Sequence, residues 1–230
     1  MGVTHKNFPK LNYFPDWPEH EKLFREKATL GFYASGHPLY DIREEIKSIA
    51  THTINQIQEI EIKQSVIIIG LLNQKRIIRT KRGKMMGILN IEDLSGDGDV
   101  TLYSEILDQC QSQLSIDNVL VIEGEIAYDK FNSTNKISAK TITSLDQFRQ
   151  KNAQGLKIKL SDKTLKPETI KHLALTLENS PEGLSTIHIT YSNKDAIGQL
   201  DVHSKKYEMR PELILQLKQI IDQQSITIIY

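Results

Sequence analysis

At about residue 62 the hydrophobic pattern changes period, and that change decides most of what the chain can become. Before it, apolar residues fall at helical spacing, with Ile42, Ile46 and Ile49 on one side of a segment from Tyr40 to Ile49. After it, five strand-like segments follow: Ile62 to Leu72, Met85 to Ile91, Asp99 to Tyr103, Val119 to Tyr128 and Lys136 to Leu145. One amphipathic helix, Glu105 to Leu114, interrupts them after the third, with Ile106, Leu107, Cys110 and Leu114 on its apolar face. Gly70 marks a bulge or bend in the first strand. The stretch Asp93 to Gly98 reads as a turn. Three strands, a helix and two more strands is the order of an OB barrel, in which the helix plugs one end.

The flanks read differently. Residues 1–18 pair aromatics with prolines and show no period, as an extended arm would. A first helix runs from about Pro18 toward Leu30. Gln147 to Gly155 is polar, begins as helix and reads as a linker. Beyond it come a strand at Leu156 to Leu160, a helix at Lys166 to Leu177 and a turn at Ser180 to Gly183. A strand at Thr186 to Tyr191 follows, with Gln199 to Val202 as its partner, then a helix at Pro211 to Asp222 and a terminal strand at Ser225 to Tyr230. The fold class is therefore α+β. Residues 1–61 form an extended arm and helical linker segment, 62–146 an OB barrel and 147–230 a small α/β domain.

Composition excludes more than it assigns. Lys plus Arg and Asp plus Glu are 29 each, so net charge steers toward no partner and any electrostatic case must be local. The single cysteine, Cys110, cannot form an internal disulfide, reads as a small buried hydrophobe and suits a reducing cytoplasmic setting. The apolar runs Val66 to Ile69 and Ile226 to Ile229 are far too short to span a bilayer. No phosphate-cradling glycine loop, nucleophile motif or paired-cysteine metal site is present, so the chain is expected to be non-catalytic and to need no cofactor. His37, before Pro38, reads as a packed or capped turn residue. Glu92-Asp93 reads as support for the turn that follows.

One cluster carries chemistry. Between the first two strands, Lys75, Arg76, Arg79, Lys81, Arg82 and Lys84 put six cations in ten residues, with no acid among them. In an OB barrel this loop lies beside the face along which an oligonucleotide runs. Cations there attract phosphates and release condensed counterions on binding. The plainer alternative is a solvated charged hairpin. Single strands also need rings for base stacking. Tyr103, Tyr128 and Phe131 are the candidates, with Lys130 and Lys136 beside them, although each ring taken singly also suits packing at a barrel rim. Aromatics are only 7% of the chain, so weak, sequence-independent binding is expected.

Several segments resemble one family. Leu30-Gly31-Phe32-Tyr33-Ala34-Ser35-Gly36-His37-Pro38-Leu39 is similar to a segment just before the OB domain of the bacterial DNA polymerase III alpha subunit. Thr80 to Met86 with Leu89-Asn90-Ile91-Glu92-Asp93-Leu94-Ser95-Gly96 resembles that domain's first loop and second strand. Val121 to Ile126 resembles its fourth strand, and Lys151 to Leu156 resembles the start of the family's C-terminal domain. The resemblance implies a non-catalytic part of a replicative polymerase, because nothing here matches the family's polymerase core. It implies single-stranded template DNA as ligand of the barrel and the clamp-loader tau subunit as partner of the C-terminal domain, alongside the rest of the polymerase. The tail Gln224 to Tyr230 is a candidate sliding-clamp peptide, but reads more readily as an edge strand. Asp97 and Gly98 depart from the family's basic and apolar residues at that turn. Two other readings stay open: a free-standing single-strand DNA or RNA binder, and an architectural module whose barrel packs on protein.

Overall fold

The structure is a computed structural model that describes residues 17, 19–130, 132–162, 165–222 and 225–230. Residues 1–16, Pro18, Phe131 and Gln224 lie outside the described set, and with them the extended-arm reading. The described residues form two compact units, one ending at Tyr40 and the other beginning at Asp41.

In the first unit, α1 (Glu19–Leu30) ends where Gly31 takes a positive φ of 85° and its N–H caps the Lys27 carbonyl at 2.9 Å. The next turn folds back on the helix. The Glu26 carboxylate accepts from the Ala34 and Ser35 amides at 3.0 and 2.8 Å and from the Ser35 hydroxyl, and these bonds hold its carboxyl below the ordinary range. His37 is the packed turn residue expected of it. Its Nδ1 accepts from the Leu39 amide at 3.1 Å, and its ring meets Tyr33 and Tyr40 edge to face.

In the second unit, β1 (Ser65–Arg79), β2 (Met85–Glu92), β3 (Asp97–Tyr103), β4 (Val119–Asp129) and β5 (Thr134–Ser144) close into a barrel of order β1-β2-β3-β5-β4. This is the OB order expected from the sequence. Before the barrel comes the short helix α2 (Arg43–Ile49). Between β3 and β4 lies α3 (Ser104–Cys110), shorter than the sequence implies because the chain tightens into a 3-10 turn over Gln111–Gln113. Leu107, Cys110 and Leu114 enter the barrel core, and burial pushes the Cys110 thiol up. The opposite end is closed by a segment that sequence periodicity does not reveal. A 3-10 helix over Ile54–Glu59 adds Ile54 and Ile57 to the core. Asn135 of β5 donates to the Ile57 and Ile60 carbonyls at 3.1 and 3.0 Å, and Asn55 bonds to Ser95 beyond β2. Gly98 permits this approach, since a Cβ there would lie 2.8 Å from Ile54.

Two strand expectations change. The first strand begins at Ser65 and runs on to Arg79, because Lys75 to Arg79 pair in register with Leu89 to Met85. Lys75, Arg76 and Arg79 are therefore strand residues, and the connecting turn is only Thr80 to Lys84. The irregularity in β1 falls between Leu72 and Gln74, not at Gly70. Gly70 instead marks a close approach, since a Cβ would lie 2.6 Å from the Glu92 carbonyl oxygen.

Beyond the barrel, α4 (Leu145–Asn152) leads into β6 (Gly155–Ser161), α5 (Pro167–Asn179), β7 (Glu182–Ser192), β8 (Ile197–Tyr207), α6 (Pro211–Ile220) and β9 (Ile226–Ile229). The strands form one sheet of order β8-β7-β6-β9, with β6 and β7 parallel across the α5 connection. Leu173, Leu177, Leu213 and Leu217 of the two helices pack on Leu156, Ile158 and Ile187 of the sheet. Ser180 to Gly183 is not a free turn, because β7 already begins at Glu182. A Cβ on Gly183 would strike the Glu208 backbone, so that glycine serves close packing. The C-terminal segment pairs with β6 as an edge strand, the arrangement preferred from its sequence.

Helix α4 is more firmly held than its polar sequence suggests. Leu145 and Phe148 pack with Ile42, Ile46 and Ile49 against Ile69 and Val121 on the outer side of β1 and β4. Arg149 makes two bonds to Glu45 of α2, at 2.8 and 2.6 Å, and a third to Asp146 at 2.9 Å. The Tyr230 hydroxyl donates to the same Glu45. Burial opposes the charge on Arg149, but its bonds to Glu45 and that carboxylate's charge prevail and raise its pKa. Burial first, and then the Glu45 charge, push the Tyr230 phenol up.

Candidate nucleic-acid interface

The outer side of the barrel is covered where β1 and β4 meet α2 and α4. The outer side formed by the end of β1 with β2 and β3 is exposed at Arg76, Tyr103, Asp97 and Asp99, half-buried at Ile78, Met86, Ile88 and Asn90, and buried at Thr101. Its composition follows from the bulge in β1. Before Asn73, Val66, Ile68 and Leu72 point into the core; after it, the extra residue reverses the alternation. Arg76 and Ile78 then share an outward face with their partners Ile88 and Met86, which are paired in turn with Thr101 and Tyr103. Without the bulge Arg76 would face inward.

The same reversal turns Lys75 away from that face. Its Nζ donates to the Leu114 carbonyl at the end of the α3 segment, at 2.6 Å. Arg79 stays exposed and ties the turn by donating Nε to the Gly83 carbonyl at 3.3 Å. Arg76, Lys81, Arg82 and Lys84 are exposed. Among the described residues, none of these six cations forms an ion pair with a carboxylate. A cation set of this kind attracts phosphate. Tyr103 is 55% exposed at the end of β3, beside Met86, so one of the candidate rings does face solvent.

The other predicted residues lie elsewhere. β3 and β5 run parallel, with Val100 opposite Ile137, so the β4–β5 loop lies toward the start of β3 and the β1–β2 turn toward its end. Tyr128 (48% exposed), Lys130 and Lys136 belong to that other end, and Phe131 is outside the described residues. Lys136 is 3.5 Å from Asp129 and partly shielded, and Lys140 is paired with Glu125. The structure therefore brings Arg76, Arg79, Lys81, Arg82, Lys84 and Tyr103 together and separates Tyr128, Lys130 and Lys136 from them. Ile78 and Met86, half-buried on the same face, are additions that only the register reveals. Asp93 does support its turn, with one carboxylate oxygen accepting from the Ser95 and Gly96 amides at 2.7 and 3.1 Å and the other from the Ile54 amide at 2.8 Å.

Strand order, the helix after β3 and the open β2–β3 face define an OB-fold module joined to a small α/β sheet. Its homologues are DNA polymerase III alpha subunits, and the chain corresponds to one segment of them. It is 31% identical to the subunit of Vibrio cholerae over 92% of this chain and 18% of that protein. Against the Escherichia coli K12 subunit it is 31% identical over 80% of this chain and 16% of that protein. The Pseudomonas aeruginosa subunit is 33% identical over 76% and 15%. The chain thus spans less than a fifth of the length of these relatives. No family model matches it. Among solved structures, the second OB-fold domain of replication protein A from Methanococcus maripaludis superposes with a TM-score of 0.32 at 19% identity, covering 41% of this chain and 96% of that one. At that score the likeness adds nothing to the strand order. No helix among the described residues is long and apolar enough to cross a membrane.

Proposed function

We propose that this chain is an accessory part of a replicative DNA polymerase, acting in the cytoplasm, that holds single-stranded template DNA on the open barrel face and the clamp-loader tau subunit on the C-terminal sheet. The observation that carries the DNA reading is the set of cations around Thr80 to Lys84, left without acidic partners beside exposed Tyr103. Arg76, Arg79, Lys81, Arg82 and Lys84 would meet phosphates, and Tyr103 would stack a base. Tyr128, Lys130, Phe131 and Lys136 are assigned a lesser role, because their end of the barrel is less cationic. Lys75, held by the Leu114 carbonyl, is assigned to structure.

The test is oligonucleotide binding across a salt series. Replacing Arg79, Lys81 and Arg82 with Ala should weaken binding and flatten the log–log salt slope by about 2, given about 0.7 per phosphate contact for single strands. An unchanged slope would reject the assignment.

The tau reading is supported by the likeness to polymerase subunits and by an apolar recess of about 490 Å³ on the C-terminal sheet, lined by Ile170, Leu173, Ala174, Ile189 and Val202. Calorimetry with purified tau should show binding that Ile170→Asp abolishes. No heat with the unaltered chain would remove this part of the reading and leave the DNA part standing.

A further inference from the structure

Three features stand outside the cation cluster: the buried Arg149–Glu45–Tyr230 junction, the apolar recess beside α5, and the acidic end of the barrel face. The junction is fully used in holding α2, α4 and the C-terminal strand together. The recess is already committed to the tau reading. The acidic end has a consequence for how far a strand can travel.

Along the open face, the outward positions change character in order. Nearest the β1–β2 turn stands the row Ile78, Met86, Tyr103, then Arg76 and Ile88 beside the buried Thr101, then Gln74, Asn90, Asp99, and last Glu92 opposite Asp97. The face is cationic and aromatic at one end and acidic at the other. Asp97 and Asp99 are exposed, and no Lys or Arg among the described residues pairs with either. Asn90 donates to Asp97 at 2.9 Å, so a neutral amide orients that carboxylate without cancelling its charge, and Asn73 donates to Glu92 at 2.6 Å. On the neighbouring β5, Lys136 and Lys140 are drawn to Asp129 and Glu125.

We propose that Asp97 and Asp99 mark the limit of the strand's path: single-stranded nucleic acid is held only on the half of the face nearest the β1–β2 turn and is turned off the barrel before it reaches the β2–β3 turn. The proposal rests on the DNA-binding reading above. Distance decides why the acids limit the path without abolishing binding. Asp99 lies four strand residues from Tyr103, roughly 13 Å along β3 at about 3.3 Å per residue. That exceeds the screening length of about 10 Å at 0.1 M salt. A phosphate beside Tyr103 is therefore largely screened from Asp99, whereas one lying over Asn90 is not. The occluded site falls at the short end of the roughly 4–16 nucleotides that OB folds cover.

The test compares oligo-dT strands of about 6 and about 12 nucleotides on the full chain and on Asp97→Asn/Asp99→Asn, which keeps side-chain size and the acceptor for Asn90. A control, Glu168→Gln/Asp195→Asn, removes two exposed acids from the C-terminal sheet region and changes net charge equally. The expected result is nearly equal affinity of the unaltered chain for both lengths, and a several-fold gain for the longer strand alone in the Asp97/Asp99 variant. Three results would overturn the proposal: no gain, an equal gain at both lengths, or an equal gain in the control. If the unaltered chain binds neither strand, the DNA-binding reading fails, and this proposal with it.

Discussion

The barrel and the C-terminal sheet solve the same folding problem in opposite ways. The barrel closes on itself, so every strand has two hydrogen-bonded neighbours, and its core is sealed by α3 at one end and by Ile54 and Ile57 at the other. The C-terminal sheet is open: β8 and β9 are edges, two helices cover one face, and Leu184, Ile197 and Leu200 are 83%, 75% and 62% exposed. A closed barrel has no free backbone edge to offer, so whatever it binds must be met by side chains on its outer face. An open sheet keeps edges and apolar surface, which suits a protein partner. On the proposed reading, charge patterning would govern recognition on the barrel, and shape and apolar area would govern it on the sheet.

Substitutions that strike one region harder than the other test this contrast. The largest effect is expected at Glu45 of α2, which ties α4 and the C-terminal residue Tyr230 together. Glu45→Ala leaves Arg149 buried with the half-exposed Asp146 as its carboxylate partner and should cost about 3 kcal/mol, the low end for breaking a buried pair. Urea denaturation would check it. A loss under about 1 kcal/mol would mean the pair behaves as a surface one. Next comes Gly70→Ala, which drives a methyl against the Glu92 carbonyl inside the closed barrel and should cost about 2 kcal/mol. The sheet glycine Gly198 has nothing within 4 Å of a built Cβ, so Gly198→Ala should instead raise the unfolding free energy by about 0.5 kcal/mol. If both glycines respond alike, the contrast between sealed barrel and open sheet fails. Smallest of all is Leu184→Ser, expected to change stability by less than about 0.5 kcal/mol because its side chain is already in water.

Most of the barrel was legible because its strands are dense in Val and Ile and its helix breaks the series at a telling place. What escaped had physical reasons. The far half of β1 carries Lys75, Arg76 and Arg79, which dilute the apolar alternation, yet pairing with β2 holds it extended. The segment over Ile54–Glu59 is a 3-10 helix with too few residues to show a period. Gly183 reads as a turn residue beside Pro181, but its lack of a side chain serves a close approach to Glu208. In the candidate site, the cation cluster was legible and its direction was not. A single bulge at Asn73 decides that Arg76 faces out and Lys75 turns toward Leu114, and nothing in the local composition announces it.

The plug over Ile54–Glu59 has a consequence for the order in which the barrel can be completed. Its residues precede β1, yet they bond to Ser95 beyond β2 and to Asn135 at the start of β5, 77 residues later than Gln58. A nascent chain cannot seat this plug until the fifth strand has arrived, so the first part of the barrel to be synthesised is among the last to be locked. A fragment begun at Ser65 would contain all five strands and still leave two apolar side chains missing from the core. Amide exchange at the start of β5 should report that gap before any loss of strand content does.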